Sequence, residues 1–240
     1  MTRVPVRAVT FDYWNTIIRA NGDPAGARAQ VWTRLLDEAG MPQPPELVRA
    51  AFDAEWAEHH AAWHRNDQYT GEMAARGAIE RLGLPIGNEL AEALVEGFAA
   101  AATELYTPCP GVIEALHALH DSGIRLGIIC DVGFTPSTRL RALLDDLGVL
   151  GLFSGWSFSD EVGCYKPAAE IFEHALGYLG TAASDTAHIG DLRRTDIAGA
   201  RAMGMTALRY TAVNDDDSDG PEGDAVVTDY ALLSEILEPA

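Results

Sequence analysis

Three aspartates stand at or shortly after the ends of apolar runs that are typical of buried strands. Asp12 follows residues 6–11, while Asp191 and Asp196 follow residues 186–189. Two carboxylates about 4 Å apart repel each other by about 4 kcal/mol near a protein surface, so a site that gathers three of them needs a cation. Oxygen ligands from few protein groups favour Mg²⁺, which keeps several waters and shares its shell with a substrate phosphate. The three aspartates therefore predict a magnesium-binding site.

The basic residues of the chain are sixteen arginines and a single lysine, Lys166. An ammonium group is a compact point charge, whereas the guanidinium group is a planar fork, so the two are not interchangeable. One lysine in an arginine-rich chain indicates a position that requires the ammonium. Lys166 is therefore a candidate functional residue.

These residues must be positioned by strands that alternate with helices. Short β-rich runs cover residues 6–11, 124–130, 156–159, 186–189, 205–209 and 225–228. Helical patterns lie between them at residues 111–121, 136–147, 167–179 and 196–203. This alternation predicts an α/β fold with a parallel sheet covered by helices on both faces.

Polar side chains fall at the predicted carboxyl ends of three of these strands. Cys130 and Asp131 end one run, and Asp12 and Asp191 follow two others. Because ligands bind outside the carboxyl ends of the strands in open parallel sheets, we expect these side chains to meet in one crevice.

Residues 21–105 have a different character, since they are alanine-rich and helical with no convincing strand. We expect a core domain of residues 1–20 and 106–240, with residues 21–105 inserted after the first strand as an all-helical cap over the crevice. The acidic segment 214–224 is predicted to be a solvated loop.

Bulk composition excludes several classes of partner. The formal charge of −19 over 240 residues disfavours nucleic acid and anionic membrane surfaces. The three cysteines, Cys109, Cys130 and Cys164, form no CxxC pair. That usage favours a reducing compartment, and the N-terminus lacks the apolar run of a signal peptide, so we expect a cytoplasmic protein. The sequence carries no signal for oligomeric state.

Several motifs together resemble the haloacid dehalogenase-like (HAD) hydrolase superfamily. They are FDYWNT at 11–16, KP at 166–167 and GDLRRTD at 190–196, with the longer stretches 158–172 and 188–205. The resemblance covers residues 1–20 and 106–240, and it places the chain in a subgroup with tryptophan two residues after the nucleophilic aspartate. It implies a Rossmann-like core, a helical cap and a Mg²⁺-dependent phosphatase that acts on a small phosphorylated metabolite.

The resemblance also implies roles for individual residues. Asp12 would be the nucleophile that forms an aspartyl-phosphate intermediate, and Lys166 would neutralise the nucleophile and the substrate anion. The implied metal ligands are Asp12, the backbone carbonyl of Trp14, Asp191 and Asp196, the last in the second shell or through water. The implied phosphate-binding residues are Cys130, Asp131 and Lys166.

Three departures from the family pattern narrow the expected chemistry. Trp14 stands where related phosphatases carry an acid that protonates the leaving group, help that is typically worth about 10²–10⁴-fold. Cys130 replaces a serine or threonine hydroxyl with a weaker donor. Asp131 replaces a common asparagine and would repel phosphate unless it is protonated, turned away or bound.

Three hypotheses remain open. The first is a phosphatase that favours good leaving groups, or that takes a proton from a cap histidine such as His60 or His64. The second is a 2-haloacid dehalogenase-like C–halogen hydrolase, since halide leaves without a proton. The third is a HAD-like binding or regulatory protein with little turnover.

Overall fold

A computed structural model describes residues 3–240. Its strands are short, and those at the centre of the main sheet are buried. The strands are β1 (Val4–Val6), β2 (Ala8–Phe11), β3 (Ile18–Ala20), β4 (Tyr106–Pro108), β5 (Arg125–Cys130), β6 (Phe153–Phe158), β7 (Thr186–Gly190), β8 (Thr206–Tyr210), β9 (Ala225–Val227) and β10 (Leu237–Pro239). The helices are α1 (Pro24–Glu38), α2 (Pro45–Arg65), α3 (Gly71–Leu82), α4 (Asn88–Ala100), α5 (Val112–Asp121), α6 (Ser137–Asp146), α7 (Ser159–Val162), α8 (Ala169–Leu179), α9 (Ala198–Met203) and α10 (Leu233–Ile236).

The main sheet of the described chain has six parallel strands in the order β6-β5-β2-β7-β8-β9. The central strands β2 and β7 are buried along their whole length, which suits their continuous apolar runs. Two small sheets pair β1 with β10 and β3 with β4. The predicted fold class is confirmed: a Rossmann-like parallel sheet flanked by helices, with an all-helical insertion after the first strand of the sheet.

The chain divides into two compact units. The α/β unit comprises the chain up to Arg19, Thr107–Asp131 and Leu144–Ala240, and the helical unit comprises Ala20–Tyr106 and Val132–Leu143. In the α/β unit, Phe172 of α8, Ala200 of α9 and Ile197, just before α9, are buried in one cluster with Ile129 of β5.

The helical unit has a core of its own, built on aromatic side chains. Trp32, Phe52 and Phe98 pack edge to face, with ring centroids 4.8 to 6.1 Å apart. Phe134 joins this cluster. The sequence division placed residues 132–143 with the α/β core, but the structure groups them with the helices because Phe134 buries its ring there.

No helix within residues 3–240 is long and apolar enough to cross a membrane.

Candidate active site

The site is built at the carboxyl ends of three neighbouring strands, β5, β2 and β7. Asp12 directly follows β2, and its backbone N–H donates to the carbonyl of Ile189 on β7 at 2.8 Å. Asp191 directly follows β7, and Cys130 is the last residue of β5. The predicted convergence of these strand ends is therefore present in the structure.

Asp12, Asp191 and Asp196 form a buried acidic triad. Each offers a carboxylate oxygen, and these oxygens lie within 4.8 Å of one another. Asp196 comes from a π-helical turn, Arg193–Ile197, that leads into α9. Gly190 allows this approach, because a Cβ atom at that position would overlap the carboxyl group of Asp196.

Lys166 lies between two of these carboxylates and is 2% exposed. Its Nζ atom donates to Asp12 Oδ1 at 2.5 Å and to Asp196 Oδ1 at 2.6 Å. Burial alone would lower the pKa of Lys166, but Asp12 and Asp196 outweigh it and raise the pKa well above its usual range. The only lysine of the sequence is therefore a buried ammonium that bridges the triad.

The carboxylate of Asp196 accepts hydrogen bonds at both of its oxygens. Its Oδ1 accepts from Lys166 and from His188 Nε2 at 3.1 Å, and its Oδ2 accepts from the backbone N–H of Leu192 at 3.0 Å. Burial alone would raise the pKa of Asp196. The effects of Lys166 and His188 outweigh burial, so the pKa is lower than that of an ordinary aspartate. Asp196 is thus an ionised group that holds Lys166.

His188 supports Asp196 from within β7, and its tautomer follows from its partners. Burial lowers the pKa of His188, so the ring is neutral. Since the ionised Asp196 can only accept, Nε2 carries the proton and Nδ1 accepts from the hydroxyl of Thr10 at 2.9 Å. The predicted site did not include Thr10 or His188; the signal was a histidine within an otherwise apolar strand.

Asp12 and Asp191 are less well compensated. Burial raises the pKa of Asp12 well above its usual range, and Lys166 only partly opposes the shift. Burial, followed by repulsion from Asp196, raises the pKa of Asp191 to about 7. When all three carboxylates are ionised, they and the single ammonium carry a formal charge of −2 on buried groups. This donor set therefore suits a divalent cation with oxygen ligands.

Three side chains that the sequence did not identify as site residues hold Asp12 and Asp191. Thr16 donates to Asp12 Oδ2 at 3.2 Å. Asn15 and Asn214 both donate to Asp191 Oδ2, at 3.3 and 2.7 Å. Asn15 and Thr16 lie in the motif at 11–16, whereas Asn214 belongs to the acidic loop, where no local pattern indicated it.

Asp131 and Cys130 have defined surroundings. Asp131 Oδ1 accepts from the backbone N–H of Lys166 at 3.0 Å, so this carboxylate is bound to the lysine segment. Cys130 is fully buried, and burial raises its pKa, so it remains a neutral thiol. Trp14 packs edge to face on Tyr13, with ring centroids 5.2 Å apart.

The helical unit holds the other candidate residues of the insert. His60 and His64 are exposed, and their ring centroids lie 4.6 Å apart, while His59 is buried beside Trp56. Trp32 is a core residue, whereas Trp56 is 52% exposed.

The site therefore combines a Rossmann-like parallel sheet with buried carboxylates and a lysine at its carboxyl edge, which is the arrangement of an α/β enzyme with an acidic active site. The model of the haloacid dehalogenase-like hydrolase family matches residues 6–204. The chain belongs to this family.

Relatives within the family include proteins named as phosphatases. The glyceraldehyde 3-phosphate phosphatase of Methanopyrus kandleri is 28% identical over 227 residues, which cover 95% of this chain and 93% of that protein. The enzyme of the same name from Methanocaldococcus jannaschii is 33% identical over 118 residues, 47% of this chain, and the chain spans only 50% of its length.

A solved structure gives the same fold. The 2-haloacid dehalogenase of Pseudomonas syringae superposes with a TM-score of 0.70 at 23% identity, covering 96% of this chain and 97% of that protein.

Proposed function

We propose that this protein is a Mg²⁺-dependent phosphatase that hydrolyses a small phosphorylated metabolite through an aspartyl-phosphate intermediate. The observation that carries the proposal is the buried pairing of Asp12 with Lys166 beside Asp191, at the carboxyl edge of the sheet. The family relatives named as phosphatases support the reaction class.

Asp12 is the nucleophile in this proposal. A carboxylate oxygen attacks phosphorus, the bond from phosphorus to the leaving oxygen breaks, and water then cleaves the aspartyl phosphate. Thr16 and Lys166 hold the two oxygens of Asp12, which limits the rotation of the carboxylate. Lys166 offsets the charge that gathers when a phosphate approaches, and Asp196 with His188 keeps the ammonium in place.

Asp12, Asp191 and the backbone carbonyl of Trp14 would hold the metal. Bound Mg²⁺ supplies positive charge that screens the nucleophile from the phosphate oxygens and stabilises charge in the transition state. Asp196 already accepts two hydrogen bonds at Oδ1 and one from the Leu192 N–H at Oδ2, so it would act mainly by holding Lys166 or through a bridging water rather than as a direct ligand. Asp131 and Cys130 line the phosphate position at the end of β5.

Trp14 restricts the range of leaving groups. Indole has no proton to transfer near neutral pH, so an alcohol would leave as an unprotonated alkoxide. We therefore expect acyl and aryl phosphates to be better substrates than alkyl phosphates.

The free thiols of the described chain fit the reducing cytoplasm that the sequence predicts.

C–halogen hydrolysis is the second candidate, because halide needs no proton and a 2-haloacid dehalogenase shares the fold. The acidic triad favours the phosphatase, since displacement of halide by a carboxylate has no need for a cation site. A binding protein with little turnover would keep the cation and phosphate sites but release no phosphate.

The test is a turnover panel of acetyl phosphate, p-nitrophenyl phosphate, glycerol phosphate and 2-chloropropionate, with and without MgCl₂. We expect Mg²⁺-dependent phosphate release from the first two substrates. Asp12→Asn keeps the size of the nucleophile and should abolish turnover, whereas Asp217→Asn, on the exposed part of the acidic loop, should not.

Metal-independent halide release would overturn the phosphatase and establish the dehalogenase. Binding of Mg²⁺ and vanadate without turnover of any phosphate would favour the binding protein. Phosphate release that survives Asp12→Asn would contradict the assigned nucleophile.

A further inference from the structure

Asn214 reaches the acidic triad from a distant part of the chain. It lies in the loop 214–224, which follows β8, and its Nδ2 donates to Asp191 Oδ2 at 2.7 Å. Because a carboxylate only accepts, the amide must present its NH₂ group to Asp191. Asn15 donates to the same oxygen, and among the described residues no hydrogen bond reaches Oδ1 of Asp191. Both amides therefore hold Oδ2 of Asp191 and leave Oδ1 available as a ligand atom.

The same loop makes a second contact two residues along. Asp216 Oδ2 accepts from the backbone N–H of Arg193 at 2.7 Å, and the Arg193 side chain donates to the carbonyl of Asp216 at 2.9 Å. Asn214 thus contacts Asp191, and Asp216, two residues later, contacts Arg193, which is two residues after Asp191. This two-point clamp fixes the position of the Asn214 amide relative to Asp191.

Arginines hold the rest of the loop. Arg209, whose side chain is 7% exposed, donates to Asp215 at 2.5 Å and to Glu222 at 2.6 Å. Arg193 also binds Glu222, and Arg201 donates to the carbonyl of Glu222 at 2.7 Å. Ordering a backbone residue costs about 1–2 kcal/mol, and this loop has little apolar surface to offset the cost. Its order therefore depends on these arginines.

We propose that Asn214 is a positioning residue for Asp191, and that the loop 214–224, clamped on Arg193, sets the affinity of the acidic triad for Mg²⁺. This inference rests on the metal site of the proposed function. Removal of a group that orients a metal ligand typically lowers metal affinity by about 10–100-fold.

The first test measures binding of MgCl₂ alone by calorimetry at pH 8, without substrate. Asn214→Ala should weaken Mg²⁺ binding by about 10–100-fold. Asn214→Ser retains a shorter donor and should fall between the alanine variant and the wild type. Urea unfolding of each variant shows whether the protein is folded.

A charge-matched pair separates the clamp from simple loss of negative charge. Asp216→Asn and Asp217→Asn each remove one carboxylate from the loop, but only Asp216 binds Arg193. We expect Asp216→Asn to weaken Mg²⁺ binding and Asp217→Asn to leave it unchanged. Equal effects of the two variants would assign the change to long-range electrostatics and overturn the clamp.

The failures of the two proposals are distinguishable. If wild type binds Mg²⁺ and Asn214→Ala binds it equally well, the positioning role is wrong while the phosphatase stands. If no phosphate is turned over but Asn214→Ala still weakens Mg²⁺ binding, the reaction is wrong and the positioning role stands. If wild type does not bind Mg²⁺, the metal site and the positioning role both fall.

Discussion

Asp191→Asn should stabilise the metal-free protein at alkaline pH, although it removes a proposed metal ligand. Burial raises the pKa of Asp191 in the folded state to about 7, against an ordinary value of 3.8 for an aspartate side chain. The folded protein then binds more protons than the unfolded chain between these two pH values, so stability falls as pH rises through this window. Asparagine has no charge to bury, and its carbonyl can still accept from Asn15 and Asn214.

The size of the effect follows from the shift in pKa. One pKa unit corresponds to about 1.4 kcal/mol, so the raised pKa of Asp191 destabilises the folded state by about 4 kcal/mol at pH 8, but by only about 2 kcal/mol at pH 5, where the folded group is protonated. Wild type should therefore lose about 2–3 kcal/mol of stability between pH 5 and pH 8 that Asp191→Asn does not lose. Mg²⁺ binds the ionised carboxylate, so it should stabilise wild type more at pH 8 than at pH 5, and the variant little at either pH.

Urea unfolding in EDTA, followed by circular dichroism at pH 5 and pH 8, measures this difference. Asp217→Asn, at an exposed position of the same unit, controls for loss of one charge. Equal pH slopes for wild type and Asp191→Asn, or a metal-free variant less stable than wild type at pH 8, would refute the reasoning.

Three further outcomes are expected. Trp14→Asp restores an acid and should raise turnover of alkyl phosphates by about 10²–10⁴-fold relative to aryl phosphates, as kcat measurements on both would show. Lys166→Met leaves buried carboxylates without their ammonium and should cost about 3–5 kcal/mol at pH 8, with a smaller loss at pH 5 where fewer carboxylates are ionised. Trp32→Ala should cost about 3–5 kcal/mol by opening a cavity in the helical unit; a loss below about 1 kcal/mol in urea unfolding would contradict its place in that core.

Local sequence patterns were sufficient for the architecture. Continuous apolar runs predicted buried parallel strands, and the structure has strands at Arg125–Cys130 and Thr186–Gly190, where the runs are. Asp12 and Asp191 could be placed together because both follow such runs, and the ends of parallel strands share one edge. Helix starts were less accurate: the pattern predicted a helix from residue 167, whereas α8 begins at Ala169.

Other features depended on contacts between distant segments, which no local pattern records. Lys166 was singled out by its rarity, but only the fold shows that it bridges Asp12 and Asp196, 154 and 30 residues away. The prediction of a solvated acidic loop missed that Asn214 donates to Asp191.

The sequence by itself determined the α/β class, the strand-end position of the acids and the family, because these depend on periodicity and on residue types at short spacing. Tertiary structure decided which oxygens of Asp191 and Asp196 accept hydrogen bonds, because several of the donors come from distant parts of the chain. It also decided that residues 132–143 group with the helices, since the ring of Phe134 is buried where apolar neighbours lie, independently of its position along the chain.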